Sequence, residues 1–288
     1  MTIELYHTSH STCSQKVRLA LAEKGLPERN KDWVEHDVDL NKFQQLTPEY
    51  LKLNPNGVVP TLVHDGQPLI ESSALLEYLE EIIPEPSLVP ADSIGRAKMR
   101  AWMRYIDEVP TVAVRVPSFA NVIAPMRFAK NTDTDFSKHA DRLPLRKQFY
   151  QRMTQKGFGK EEIEYALFQI RQTCERIEKA LNENGGPWIM GKQFTLVETQ
   201  VTPLIDRMDD LGYAYVWSDL PKMSDWFEVV KQRPSYAATY YPGARISEKY
   251  SSHFRTANAW RILKVIADRT PLILGLRVAL KADIPARL

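Results

Sequence analysis

Two hydrophobic rhythms divide this chain, and the point where one of them stops constrains the fold more than any single motif. Before Pro84, segments of period two alternate with segments of period 3.6; after Asp92, only the helical period is found. Ile3, Leu5 and His7 alternate against Glu4 and Tyr6 as in a strand. A polar turn covers Ser9 to Ser14, and Val17, Ala20 and Leu21 then fall at helical spacing before Gly25, a natural helix stop. A second extended piece runs near Val34 to Asp39, and a loop rich in Gln, Pro and Asn follows it. Thr61 to His64 and Pro68 to Ile70 read as short strands around Asp65-Gly66. Leu75, Tyr78, Leu79 and Ile82 then repeat at helical spacing until Pro84. The predicted order is βαβ followed by ββα, an α/β domain over residues 1–84.

Pro84 to Pro90 reads as a linker, and residues 92–244 read as an all-helical domain. Met99, Trp102, Met103 and Ile106 make one apolar face, and Ile163, Leu167, Ile170, Cys174, Ile177 and Leu181 make another. Cys174 lies inside that stripe and reads as a core thiol. Thr195-Leu-Val-Glu198 has capping-box spacing and opens a helix carrying Val201, Leu204, Ile205, Met208 and Leu211. The less regular stretch from Pro117 to Phe158 carries Phe119, Met126, Phe128, Phe136, Phe149, Tyr150 and Phe158. Packing between helices is the commoner use of such residues, and the wall of an apolar-ligand pocket is the other.

Composition removes several function classes. At 288 residues, 43% apolar and 26% charged, the chain has the make-up of an ordinary globular protein. Its longest nearly uncharged apolar stretch, Pro271 to Leu276, is too short for a membrane span. A net charge of +2 gives no field that argues for nucleic acid. Charge is nonetheless unevenly placed. Residues 1–90 hold 7 Lys/Arg against 14 Asp/Glu, and residues 245–288, set apart as a basic C-terminal extension, hold 9 against 3. Cys13 and Cys174 are the only cysteines, which excludes a disulfide framework and, with no secretory pattern at the N-terminus, predicts a cytoplasmic setting. No Gly-rich phosphate loop occurs, and His7 and His10 lack a third ligand nearby, so no metal is expected.

The turn Ser11-Thr12-Cys13-Ser14 sits where a helix begins, and unpartnered N–H groups there stabilise anions. Hydroxyl and thiol side chains at such a place can add hydrogen bonds to a negative atom. Local residues alone leave the blander alternative equally open, with Ser14 a simple N-cap and Cys13 a packed thiol.

Five motifs in order carry a resemblance. A strand, the S-x-C-S turn, Asn54-Pro-Asn-Gly-Val-Val-Pro60, Glu71-Ser72 opening a helix, the Thr195-x-x-Glu198 box and the Pro221…Trp226…Arg233-Pro234 pattern together resemble the cytosolic glutathione transferases over about residues 3–240. That resemblance implies a thioredoxin-like α/β N-terminal domain, an all-α C-terminal domain, glutathione as cofactor and a homodimer. It implies that the main chain of Val59, before a cis Pro60, pairs with the cysteinyl part of glutathione. Glu71 and Ser72 match the pair that receives the γ-glutamyl ammonium and carboxylate, and Gln44 or Gln45 faces the glycine end. Val58 stands where the family often has Lys or Gln.

The turn is similar to that of zeta-class maleylacetoacetate isomerases and the related reductive dehalogenases, in which the position of Ser11 activates glutathione; in the dehalogenases that of Cys13 also supplies a second nucleophile. Lys42-Phe43, His64-Asp-Gly, Glu77-Tyr-Leu-Glu80, Arg96-Ala-x-Met-Arg-x-Trp102 and Asp107-Glu108 look most like bacterial glutathione-dependent β-aryl etherases, in which the working serine matches Ser14. Ser11 and Ser14 therefore stand as rival thiolate donors, Ser14 preferred. The implied reaction is thiolate attack on a small aromatic ether, giving a thioether and a phenol. Isomerase, dehalogenase and a non-catalytic aromatic-ligand or partner-binding protein remain the alternatives. The tail, with Trp260, Ile262, Leu263, Ile266, Leu272, Ile273 and Leu276 among arginines and lysines, would lie on an acidic face of its own or a partner subunit, or else on an anionic membrane surface.

Overall fold

The computed structural model describes residues 2–123 and 158–251. Met126, Phe128, Phe136, Phe149 and Tyr150, and the tail residues Trp260 to Leu276, lie outside them. Met1–Lys249 forms one compact unit, so Arg245 to Lys249 belong with the main body.

Ile3–His7 (β1) lies inside a four-stranded sheet in the order β2-β1-β3-β4, where β2 is Val34–Asp37, β3 Thr61–His64 and β4 Gln67–Leu69. β1 and β2 are parallel and need a crossover, which the helix Thr12–Glu23 (α1) supplies. β1, β3 and β4 pair antiparallel, with Leu5 opposite Leu62 and Leu62 opposite Leu69. The β3–β4 hairpin turns on Asp65 and Gly66 at φ 46° and 81°, two successive positive values that explain a glycine there. Ile3, Leu5 and His7 are buried, so the period-two reading of β1 matches its burial.

The stretch read as a loop after β2 contains more structure. It makes two 3₁₀ turns, Leu40–Lys42 and Gln44–Leu46, and a helix, Pro48–Leu53 (α2). Thr47 caps α2 by accepting from the Tyr50 N–H at 3.3 Å, and Pro48 occupies the first helical position, where its missing N–H costs nothing. Six residues are too few for an amphipathic period, so only the Thr-Pro start signals this helix in the sequence. Ser72–Ile82 (α3) follows β4 and buries Leu75, Leu76 and Leu79.

All named elements described after Pro84 are helical: Ser93–Glu108 (α4), Pro110–Ala113 (α5), Arg115–Ser118 (α6), a π-turn at Phe119–Ile123, Lys160–Asn184 (α7), Leu196–Asp210 (α8), a 3₁₀ turn at Ala214–Trp217, Pro221–Lys231 (α9), Pro234–Thr239 (α10) and Ile246–Lys249 (α11). Met99, Met103 and Ile106 of α4 are buried where that helix packs on α8, and Ile170, Cys174, Ile177 and Leu181 are buried in α7, which packs on α5 and α9. Every residue of α8 from Leu196 to Met208 is buried, which makes it the central helix. Burial pushes the Cys174 thiol far up, so it stays protonated and serves as a small hydrophobe.

The capping box forms as its spacing requires. Glu198 accepts from the Thr195 N–H at 2.8 Å and also from the Ile189 N–H at 2.6 Å, and burial raises its carboxyl to about 7. Phe158 packs with Phe43, Val116, Phe119 and Ile163, which brings a loop of the first domain onto α6 and α7. α1 packs on α3 of its own domain and on α8 and α10 of the other, with everything from Ser14 to Leu21 buried.

A hydrogen bond from a buried imidazole joins β1 to β2. His7 Nε2 lies 2.9 Å from Glu35 Oε1, and Arg29 donates to both oxygens of Glu35. Hydrogen bonds from His7 and then Arg29 hold the Glu35 carboxyl down at about 2, against an ordinary 4.5. Burial, which outweighs the Glu35 contact, pushes His7 below its ordinary 6.5. A depressed carboxyl withdraws stability as pH falls from 4.5 towards 2, and a depressed imidazole does so below 6.5. These two slopes run the same way, whereas Glu198, raised to about 7, adds stability as pH falls from 7 to 4.5; below pH 4.5 urea titrations should show stability falling on acidification, and Glu35→Gln should flatten that limb.

Candidate active site

α1 begins immediately beyond the end of β1, and the turn between them presents the helix N-terminus. Ser11 is the N-cap, with extended backbone (φ −75°, ψ 123°) and a hydroxyl that accepts from the Ser14 N–H at 3.3 Å. The reading of Ser14 as an N-cap is therefore corrected: Ser14 is the third helical residue. Its side chain is wholly buried and its Oγ has no hydrogen-bond partner. Ser11 is partly exposed, and accepting one bond leaves its O–H proton available to another atom. Cys13 is partly exposed and lines a cavity. His7 is committed to Glu35 and Arg18, and among the described residues no group of three His, Cys, Asp or Glu is arranged to hold a metal.

The segment before β3 is held from behind. Val58 C=O accepts from Tyr50 OH at 2.7 Å and from Asn54 Nδ2 at 2.9 Å, and Asn54 Nδ2 also donates to Thr61 Oγ1 at 3.0 Å. Burial pushes the Tyr50 phenol up to about 12, so it remains a donor at neutral pH. The Val59–Pro60 bond is cis, and Val59 is buried against Val38 and Tyr50. Asn54 of the Asn-Pro-x-Gly motif thus acts as a brace, while Tyr50 and Thr61, which sequence reasoning passed over, complete it. The missed helix α2 is what carries Tyr50 to that place.

At the start of α3, Glu71 adopts φ +70°, a conformation that a non-glycine residue takes only at a cost of order 1–3 kcal/mol, and its carboxylate accepts from Asn56 Nδ2 at 3.1 Å. No side chain caps α3, so its first N–H groups are left for another acceptor. Gln44 closes its own turn, accepting from the Asp39 N–H at 2.8 Å, and Gln45 is buried; neither lines the cavity.

The cavity, about 440 Å³, runs between α3 and α4 with Cys13, Glu71 and Ser72 on its wall. Its other charged lining residues are Glu77, Arg100, Arg104, Asp107 and Arg115. Met103, Asp107, Thr111 and Arg115 recur every fourth residue, a helical spacing that could have flagged them in the sequence. Lys16, wholly buried behind this wall, donates to Thr111 Oγ1 at 3.0 Å and lies 3.5 Å from Asp107 Oδ1. Gln200 of α8 donates to the same carboxylate oxygen at 2.7 Å.

Family profiles agree with this geometry. The glutathione S-transferase N-terminal domain profile matches residues 5–87, and the C-terminal domain profile matches residues 130–239. Protein LigF of Sphingobium sp. is 33% identical over 187 residues, covering 64% of this chain and 70% of LigF. This chain belongs to the glutathione S-transferase family. A crystal structure described as that of the beta-etherase LigF superposes on this transferase with a TM-score of 0.71 and 28% identity, covering 83% of the one chain and 99% of the other. Maleylacetoacetate isomerase of Pseudomonas aeruginosa is 44% identical over 101 residues, which is 34% of this chain and 45% of the isomerase.

Glutathione is the co-substrate that accompanies this membership, and the site fits it. The cavity volume suits a small peptide, the uncapped start of α3 offers N–H groups to a carboxylate, Glu71 offers a carboxylate to an ammonium, and Cys13 brings the N-terminal turn of α1 to the cavity wall. Asn54→Ala removes one brace from the Val58 carbonyl, a net loss of about 1 kcal/mol. If the brace positions the glutathione-binding backbone, KM for glutathione should rise about fivefold with little change in kcat for the same electrophile, as steady-state kinetics would read.

Proposed function

We propose that this transferase uses glutathione to cleave a β-aryl ether, transferring the tripeptide sulfur to the carbon that bore the aryloxy group and releasing a phenol. The observation that carries the thiol chemistry is the Ser11 hydroxyl, partly exposed at the N-terminus of α1 beside the Cys13 wall of the cavity. Likeness to the beta-etherase LigF across most of both chains supports the ether as substrate.

Bound glutathione supplies a nucleophilic sulfur. The protein's task is to keep that sulfur negative. A thiol of pKa ~8.5 is about 3% ionised at pH 7, and lowering it by ~2 units requires ~2.7 kcal/mol of preferential interaction with the thiolate. A hydrogen bond to a charged acceptor is worth about 1.5–3 kcal/mol, and a helix N-terminus adds about 0.3–1 kcal/mol. One serine and the end of α1 are sufficient in magnitude. Accessibility supports Ser11 over Ser14, because a hydroxyl without exposed surface touches an incoming sulfur only after the turn moves. Glu71 and the first N–H groups of α3, beginning at Ser72, hold the γ-glutamyl end, and the braced backbone at Val59 holds the cysteinyl part. Phe43, Phe119 and Phe158 provide the described aromatic surface for an aryl group. A cytoplasmic homodimer is the assembly that fits this reading.

A second reading, isomerisation of an acidic substrate, is favoured by the maleylacetoacetate isomerase relative and by Arg104 and Arg115 on the cavity wall. Incubation with glutathione and a β-aryl ether dimer, in parallel with maleylacetoacetate, separates the two. Phenol and glutathione thioether in equal amounts are expected. Cis–trans conversion without ether cleavage replaces the first reading by the second, and bound glutathione with no thiolate absorbance discards both in favour of a ligand-binding protein. Ser11→Ala should lower kcat/KM about 10- to 100-fold and abolish that absorbance. The same loss in Ser14→Ala with Ser11→Ala unaffected would transfer the role to Ser14.

A further inference from the structure

The end of α10 and the chain that follows it return to the first domain and meet the thiol-activating turn from behind. Their carbonyl oxygens accept three side-chain hydrogen bonds from that turn and from α1. Arg18 Nη2 donates to Thr239 O at 3.0 Å, Ser9 Oγ donates to Gly243 O at 3.2 Å, and Gln15 Nε2 donates to Ala244 O at 2.9 Å. Arg18 also donates to Ser9 O at 2.8 Å, and Gln15 reaches the same oxygen at 3.4 Å. Arg207 of α8 donates to His10 O. The carbonyls of Ser9 and His10 are thereby committed to buried donors, two residues and one residue before Ser11.

The returning segment is itself fixed. Arg245 Nη2 lies 2.9 Å from Asp206 Oδ1 of α8 and 2.7 Å from Tyr236 OH, Gly243 N–H donates to Glu248 Oε2 at 2.6 Å, and Ser247 N–H donates to Asp210 Oδ2 at 3.2 Å. Gln15 and Ala244 are essentially without exposed surface, and Asp206 is nearly so. The Gln15–Ala244 bond is buried and resists rearrangement, because an amide separated from its partner there keeps its desolvation cost, and the part-buried Ser9–Gly243 bond lies beside it.

We propose that Ser9 and Gln15 are positioning residues: through the Gly243 and Ala244 carbonyls they hold the turn in the pose that presents the Ser11 hydroxyl to the glutathione sulfur. The proposal rests on the thiol-activating role given to Ser11 above. Strength of a hydrogen bond to sulfur depends steeply on angle and distance, so a loosened turn weakens thiolate stabilisation while leaving the grip on the rest of the tripeptide, at Val59, Glu71 and α3, unchanged.

The test uses the full chain and the variants Ser9→Ala, Gln15→Ala and Ser9→Thr. Each alanine variant should raise the apparent pKa of bound glutathione, read from thiolate absorbance against pH, by about 0.5 to 1 unit, with KM for glutathione held within about twofold. Ser9→Thr, which keeps the hydroxyl, should return the profile to that of the parent. Amide hydrogen exchange at Ser14 reads the turn independently of sulfur chemistry, and it should quicken in both alanine variants. Unchanged exchange at Ser14, or a fall in Tm with the pH profile unmoved, overturns the proposal. Quickened exchange in a protein whose parent forms no thiolate would retain the hold on the turn and refute the role of Ser11 instead.

Discussion

α1 is required to do two things that oppose each other: its sides are sunk in protein on every face, while its amino end must stay open to a ligand. Gln15, Lys16 and Arg18 are all on this helix and all buried, and each would be costly there without a partner. The partners come from the second domain and from the chain beyond it. Lys16 finds Thr111 and Asp107, Arg18 finds Thr239, and Gln15 finds Ala244. The two domains are therefore joined by polar bonds as well as by apolar packing, and the joint lies directly behind the candidate site.

That arrangement gives the cavity its character. One wall is the N-terminal turn of α1, another the uncapped start of α3, and a third the charged side of α4 and α6. Cys13, Glu71 and Ser72 line the cavity, while the Ser11 hydroxyl and the cis Val59–Pro60 peptide, next to the Val58 carbonyl held by Tyr50 and Asn54, lie outside its lining residues. The backbone at Glu71 carries an unfavourable φ in the middle of this, which is where conformational cost is commonly retained because a ligand uses it.

Much of the fold was legible. β1, α1, the Asp65-Gly66 hairpin, α3, α4, α7 and α8 all announce themselves through period, cap or turn chemistry, and Cys174 sits in the core as its stripe implies. Helix α2 escaped because six residues carry no period. Among site residues, Ser11, Cys13, Glu71 and Ser72 were visible as motif positions, whereas Asp107 was visible only as part of a motif without a role. Thr111 and Arg115 continue the four-residue spacing of Met103 and Asp107, whereas Tyr50 and Thr61 carried no local signal strong enough to single them out.

The division has a plain physical origin. A cap, a hairpin turn or an amphipathic stripe is fixed by residues within one or two turns of each other, so the sequence alone determined the order of the four strands and the longer helices and the split between a mixed sheet and a helical domain. Which side chains meet across 95 residues, as Lys16 and Thr111 do, or across 221, as Arg18 and Thr239 do, depends on how finished elements pack. Only the tertiary structure decided that Ser11 rather than Ser14 is the N-cap with accessible surface, and that the turn bearing it is held from behind by the segment from Thr239 to Ala244.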